Sequence, residues 1–380
     1  MMLKKLKQET KQGMWVYTGT REMSLCLNSL IVESYKFTYA KLGLQTFSKY
    51  YAKGIFICGR GSVLKAFFYR PYYKFITKSL KQKLAQKPTY FNSLFELTVQ
   101  ENKKVKKTVK NLAEFLSQSK LEFENAKKFY LEFRNIFLLF FPLQVFPFLV
   151  EEVLCGSGNQ RLLNKYENIL VKWRKKTHET EIELENLFSL FLNKFKRKFK
   201  IDFRYWNDYE MMKYFSTLKK PSVKELSKRR RSYLMIRNIE SKPPYQIVTD
   251  KHKEQICRFL NKITKPKITG NEFSGKPIYK GYIIGKIYVA RKKNDFKKIP
   301  AKQIVISRVF ELDDLRILKT KKIKGVISEE GGITTHIAIT GRELKVPIIA
   351  GVKGIMEIIK DGDLVEVDAN KGVVKIIKRA

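Results

Sequence analysis

Acidic residues are scarce in this 380-residue chain: 36 Asp and Glu stand against 77 Lys and Arg, a formal net charge of +41. A surface this basic excludes polycations as partners and attracts polyanions. Histidine is scarcer still. Only His178, His252 and His336 can supply imidazole chemistry. Four cysteines (Cys26, Cys58, Cys155, Cys257) lie scattered, with no CxxC pair and no histidine at ligand spacing. That argues against a disulfide framework or a metal site and suits a reducing, cytoplasmic setting. Long hydrophobic runs are also missing. The longest, Ile136 to Val150, contains Pro142, Gln144 and Pro147 and falls short of the roughly 20 apolar residues a bilayer span needs. A buried, kinked helix pair is expected there, and no membrane span. Met1 to Lys7 is charged, but no apolar h-region follows it, so no signal peptide is expected.

The positive charge is spread along the chain. Residues 261–380 hold 26 basic and 13 acidic residues, so most of the excess lies before them. Lysine far outnumbers arginine, and no nucleic-acid motif accompanies it. A solvated lysine-rich surface is therefore favoured over a nucleic-acid or acidic-lipid partner.

Hydrophobic residues at 44% and aromatics at 13% are enough for packed cores. The expected class is α+β: a mostly α-helical N-terminal region followed by a compact α/β domain. Residues 1–200 read as helical. Leu112, Phe115, Leu116, Phe123, Phe129, Phe133 and Phe137 recur at helical intervals, and Glu181 to Lys198 places acids early and bases late, as the helix dipole favours. Cys155-Gly156-Ser157-Gly158-Asn159 is a break. Tyr51 to Tyr73 is the least legible stretch. Its Gly59-Arg60-Gly61 lacks the spacing of a phosphate loop and reads as a turn. Residues 201–261 form a second helical region, with Asn207-Asp208 as a cap and the run Arg229-Arg230-Arg231 on an exposed face. Residues 262–276 read as a linker, stiffened by Pro266 and bent by Gly270 and Gly275. Residues 277–380 alternate between strands and short helices, with strands at 282–290, 303–307, 324–328 and 346–350, helices at 311–319, 335–344 and 354–360, and a closing hairpin over 364–377.

The informative stretch runs from Val326 to Leu344. A buried strand ends in Glu329-Glu330-Gly331-Gly332, and a helix then starts at Thr334-Thr335 with His336 one step inside. Glycines let the backbone turn sharply and approach a ligand closely. A helix's first turn offers unpaired N–H groups to an anion. Thr334 and Thr335 can donate hydroxyl hydrogen bonds, and the guanidinium fork of Arg342 can reach back to a phosphate. A neutral imidazole is nucleophilic near pH 7. His178, in a lysine-rich helix, and His252, in a polar loop, show no such setting and are read as structural.

Gly331 to Val352 (GGITTHIAITGRELKVPIIAGV) resembles the phosphohistidine motif of the mobile domain of phosphoenolpyruvate-utilising enzymes, a family that includes phosphoenolpyruvate synthase, pyruvate phosphate dikinase and enzyme I of the sugar phosphotransferase system. The resemblance extends over residues 268–380, through Gly281 to Val289 at its start and Asp361 to Val374 at its end. It implies a swivelling β/β/α domain in which His336 is phosphorylated, Thr334, Thr335 and Arg342 support the phosphate, and Gly331 and Gly332 shape the loop. Ile337 stands where the family usually has a small residue, and Gly341 replaces a common Ala or Ser.

Full-length members of that family pair the mobile domain with an ATP-grasp domain and a TIM barrel, and neither is legible here. The expectation is therefore a phosphotransferase component that is not competent alone. A separate ATP-binding or phosphoenolpyruvate-binding subunit would supply the donor and its Mg2+, and no cofactor or metal is assigned to this chain itself. The alternatives are a non-catalytic binding or regulatory protein that keeps the fold, or a basic nucleic-acid-binding protein with an appended carrier domain.

Overall fold

A computed structural model describes residues 8–9, 12, 15–22, 25–27, 29–31, 53–58, 63–69, 78, 80–83, 89–118, 121–156, 160–238, 245–249, 251–264, 270–291, 293–310, 312–331, 336–339 and 341–380. The chain divides into two units, Met1–Val153 with Lys175–Thr264, and Leu154–Arg174 with Lys265–Ala380.

The first unit keeps the mostly helical character that the periodicity suggests and adds a sheet that the periodicity does not show. Strands β1 (Trp15–Glu22), β2 (Lys53–Cys58), β3 (Val63–Tyr69), β4 (Tyr233–Asn238) and β5 (Tyr245–Val248) form a five-stranded sheet in the order β1-β3-β2-β4-β5. Its pairings are antiparallel, and the segment Gly59-Arg60-Gly61 read as a turn lies outside the described residues. Both expected helical regions, 1–200 and 201–261, thus contribute strands. The reason is long-range pairing: β2 lies between β3, its local neighbour, and β4, about 180 positions away, and no local pattern records such a partner.

Three long helices carry the aromatic periodicity: α1 (Tyr90–Gln118), α2 (Phe123–Gly156) and α3 (Gln160–Phe199). Phe129 stacks on Phe191 and Phe133 on Phe188, each with ring centroids 4.6 Å apart. The apolar run Ile136–Val150 lies inside the single helix α2, prolines included, rather than in a helix pair. Leu138, Phe140, Phe141, Leu143 and Phe146 are all buried, so the helix is apolar nearly all round because it is enclosed by protein. No helix among the described residues is long and apolar enough to cross a membrane. His178 is buried in α3 with its Nδ1 3.2 Å from Glu181 Oε2.

Helix α4 (Asp208–Thr217) starts at a full capping box. Asn207 accepts from the Glu210 amide, and the Glu210 carboxylate accepts from the Asn207 amide. Helix α5 (Val223–Arg231) is capped by Ser222. Of the arginine run expected on an exposed face, Arg229 is buried. It donates to Glu210, at 2.7 and 2.9 Å, to Glu225 and to the Tyr205 carbonyl. His252 lies in helix α6 (Lys251–Thr264) and not in a loop.

In the second unit, β6 (Glu272–Ser274), β7 (Lys276–Tyr279), β8 (Tyr282–Ala290), β9 (Ile304–Ser307), β10 (Gly325–Ser328), β11 (Ile348–Ala350), β12 (Leu364–Asp368) and β13 (Val373–Lys378) make an eight-stranded mixed sheet. Its order is β6-β13-β12-β8-β9-β10-β11-β7. Strands β8 to β11 run parallel, and β12, β13, β6 and β7 join antiparallel. Every residue of β9, β10 and β11 is buried, as expected of parallel strands covered on both faces. The expected linker is only partly one. Lys262–Thr264 ends α6, residues 265–269 lie outside the described residues, and from Glu272 onward the chain is in the sheet because Phe273 enters the core beside Val374 and Ile376. Helices α7 (Leu312–Thr320), α8 (His336–Ile339) and α9 (Ile355–Ile358) complete the unit.

Candidate functional site

The parallel strands end on one edge of the sheet, at Ala290, Ser307, Ser328 and Ala350. In open α/β sheets that carboxyl edge is where ligands bind. The chain leaving β10 keeps to the ladder for two more residues, with the Glu329 amide donating to the Ser307 carbonyl at 3.0 Å and the Glu330 amide to the Arg308 carbonyl at 2.9 Å. Gly331 then adopts φ +135, which side-chain-bearing residues rarely reach. On the neighbouring strand the Val352 amide donates to the Ser328 carbonyl at 3.0 Å, and Gly351 has φ +74. A Cβ on Gly351 would lie 2.7 Å from the Gly331 carbonyl oxygen, so the two backbones pass too closely for any side chain.

Helix α8 opens at His336, five positions beyond Gly331. The expected helix over 335–344 forms as two short pieces, α8 and a 3-10 turn at Gly341–Leu344 that carries Arg342. Ile337 and Ala338 are buried beneath α8, which fixes the turn to the sheet. Of the sequence-derived site residues, Gly331 is placed and exposed, and His336 and Arg342 are placed by their backbone on consecutive turns. Gly332, Thr334, Thr335 and the side chains of His336 and Arg342 lie outside the described residues.

The two departures from the family motif occupy one space. A Cβ on Gly341 would lie 3.0 Å from Ile337 Cδ1 and 3.1 Å from Ile348 Cδ1. The extra carbons of Ile337 thus fill the room that Gly341 leaves, one turn further along.

Sequence reasoning missed an ion cluster on the same edge. Arg308 Nε donates to Glu329 Oε2 at 2.8 Å, and its Nη2 donates to Glu357 Oε1 at 3.3 Å. Arg308 is the residue after β9, and nothing in its local sequence marks it. The Glu329 side chain is only 10% exposed, so its charge is met by a guanidinium beside the glycine turn instead of standing bare. Among the described residues no group of three or more His, Cys, Asp or Glu is arranged to hold a metal.

Residues 299–372 match the family described as PEP-utilising enzyme, mobile domain. Among curated proteins, a phosphoenolpyruvate-protein phosphotransferase of Mycoplasma pneumoniae is 37% identical over 83 residues, covering 22% of this chain and 14% of that protein. A "Probable phosphoenolpyruvate synthase" of Methanothermobacter thermautotrophicus is 32% identical over 94 residues, covering 25% and 14%. A pyruvate kinase of Staphylococcus haemolyticus is 33% identical over 111 residues, covering 29% and 19%. The chain therefore spans under a fifth of the length of these relatives, and the likeness is confined to about a quarter of its own. That part carries the mobile domain of phosphoenolpyruvate-utilising enzymes.

Proposed function

We propose that the domain formed by residues 277–380 is a phosphoryl carrier that holds the group on His336 and passes it between sites on partner proteins. The carrying observation is the match over residues 299–372 together with the place of His336, at the first helical turn after a glycine crossing on the carboxyl edge of the parallel strands.

In the forward step one ring nitrogen of neutral His336 attacks the donor's transferable phosphorus. A P–N bond forms, the bond to the donor's leaving oxygen breaks, and the ring proton passes to solvent. In the second step an acceptor oxygen attacks the same phosphorus, the P–N bond breaks, and the leaving ring takes a proton from solvent, which restores the neutral imidazole. Helix α8 has only four residues and cannot carry a long helix's dipole, so the donors Thr334, Thr335 and Arg342 have to stabilise the phosphate. The pairing of Glu329 with Arg308 removes a repulsion from its neighbourhood. Donor nucleotide or phosphoenolpyruvate, with its Mg2+, is assigned to a separate subunit.

The test is labelling of the full chain by a radioactive phosphoryl donor in a lysate that contains its natural partners. Acid-labile, alkali-stable label on the wild-type protein, lost in His336→Ala, is expected of a phosphohistidine. Equal label on both proteins, or none on wild type, would sink the proposal. The none-on-wild-type outcome would favour a binding or regulatory role for the same fold.

A further inference from the structure

A second candidate lies in the first unit, among residues the carrier chemistry does not use. A cavity of about 460 Å³ opens beside the start of α4, lined by Asn207, Tyr209, Lys213, Lys219, Lys220 and Tyr245 among others. Small-molecule sites fall in the range of roughly 300–1,000 Å³.

Its electrostatics are one-sided. Glu210 and Arg229 also line it, but they are paired: the Glu210 carboxylate accepts two hydrogen bonds from Arg229, which it shares with Glu225, and one from the Asn207 amide. Lys213, Lys219 and Lys220 are exposed and have no acidic partner among the described residues. Three lysines with no acidic partner among the described residues therefore line one cavity. Lysines near the end of a helix favour its dipole, but that accounts for Lys219 and Lys220 alone and would not require a cavity.

The polar floor of the cavity is held in place by its own hydrogen bonds. Asn207 is only 4% exposed, and its Oδ1 is committed to the Glu210 amide and the Tyr245 hydroxyl, each at 2.9 Å. Its Nδ2 makes no hydrogen bond among the described residues and keeps contact with solvent. The capping box and Tyr245, which also accepts from the Tyr209 amide at 3.3 Å, hold this donor in place.

We propose that this cavity binds a small molecule bearing a diphosphate. Three lysine charges exceed the charge of about −1.5 to −2 on one phosphate monoester and match a diphosphate better. Compact ammonium groups meet phosphate oxygens as point charges. Half-exposed Tyr209, with Pro221 and Ile247, offers an apolar wall for whatever the diphosphate is attached to. A nucleic-acid chain would call for an extended basic stripe and not one local cavity.

The test is calorimetric titration of the full chain with pyrophosphate and with ADP, on wild type and two triple variants. One variant carries Lys213→Gln, Lys219→Gln and Lys220→Gln. The other carries Lys103→Gln, Lys107→Gln and Lys375→Gln, three exposed lysines outside the cavity, as a control for the general positive field. Saturable binding of at least one probe is expected, weakened about tenfold in the cavity variant and less than about twofold in the control. His336→Ala should bind as wild type does, which separates this site from the carrier. If circular dichroism shows the cavity variant misfolded, Lys213→Gln alone should still weaken binding about threefold. No saturable binding of either probe to wild type, or equal weakening in both triple variants, overturns the proposal.

Discussion

Replacing Gly341 by alanine tests whether the unusual pair beneath the phosphoryl loop is one packing unit. In isolation the change should help, because glycine costs up to about 1 kcal/mol relative to alanine in a helix. The gain is smaller here, since Gly341 opens a 3-10 turn. Against it stand Ile337 Cδ1 at 3.0 Å and Ile348 Cδ1 at 3.1 Å from the new Cβ. Ile348 is fully buried in a central strand and Ile337 is 2% exposed, so neither gives way freely. Overpacking of this kind costs about 1–3 kcal/mol, and the net expectation is a loss of about 1 kcal/mol. Ile337→Ala alone should cost about 2–5 kcal/mol through its cavity. In that background Gly341→Ala should turn neutral or stabilising, because the added methyl enters vacated space. The double-mutant coupling is therefore expected to be at least about 1 kcal/mol. Native-state hydrogen exchange at the amides of Val326, Ile327 and Ile349 reads local stability beneath the turn without requiring the two units to unfold together. Additive costs, with a coupling under about 0.3–0.5 kcal/mol, would refute the shared-space account.

Two further outcomes follow from the same unit. Asp363 is fully buried. Burial opposes its ionisation, but hydrogen bonds from the Lys360 and Ala380 amides, each at 2.9 Å, and from Arg379 at 3.1 Å hold its carboxyl below the usual range. A depressed carboxylate contributes stability that is present above the unfolded value near pH 4 and is lost as pH falls through the folded one. Acid titration of the unfolding midpoint should therefore show a decline below pH 4, shallower in Asp363→Asn, which itself costs about 1–3 kcal/mol at pH 7; an unchanged acid profile would contradict this. Gly351→Ala should destabilise the edge by more than about 2 kcal/mol, because left-handed strain of about 1–2 kcal/mol adds to a contact with backbone that cannot rotate away. Thermal unfolding reads this cost, and phosphoryl labelling at His336 should fall with it. Wild-type midpoint and labelling would show that the crossing of Gly331 and Gly351 is not rigid.

Much of the second unit was legible in the sequence because its signals are local. Ile304–Ser307 and Gly325–Ser328 are short apolar runs bounded by polar turns, and each became a buried parallel strand. Asn207-Asp208 announced a capped helix, since a cap is set by adjacent residues, while the reciprocal bond from Glu210 came from the structure. The segment around His336 stood out because glycine, threonine and histidine in that order serve an anion better than they serve packing. The first unit's sheet was not legible. Its strands are bound by pairings such as Ile55 with Ile236, and hydrophobic periodicity carries no record of a partner so far away. Arg229 looked like one member of an exposed run until the fold enclosed it against Glu210 and Glu225. Arg308 beside Glu329, the cavity walled by Lys213, Lys219 and Lys220, and the space shared by Ile337 and Gly341 likewise depend on which surfaces meet. Sequence alone determined which side chains could do chemistry and where the chain turns. Tertiary structure decided which charges are cancelled and which are left open, because burial and pairing are properties of neighbours in space.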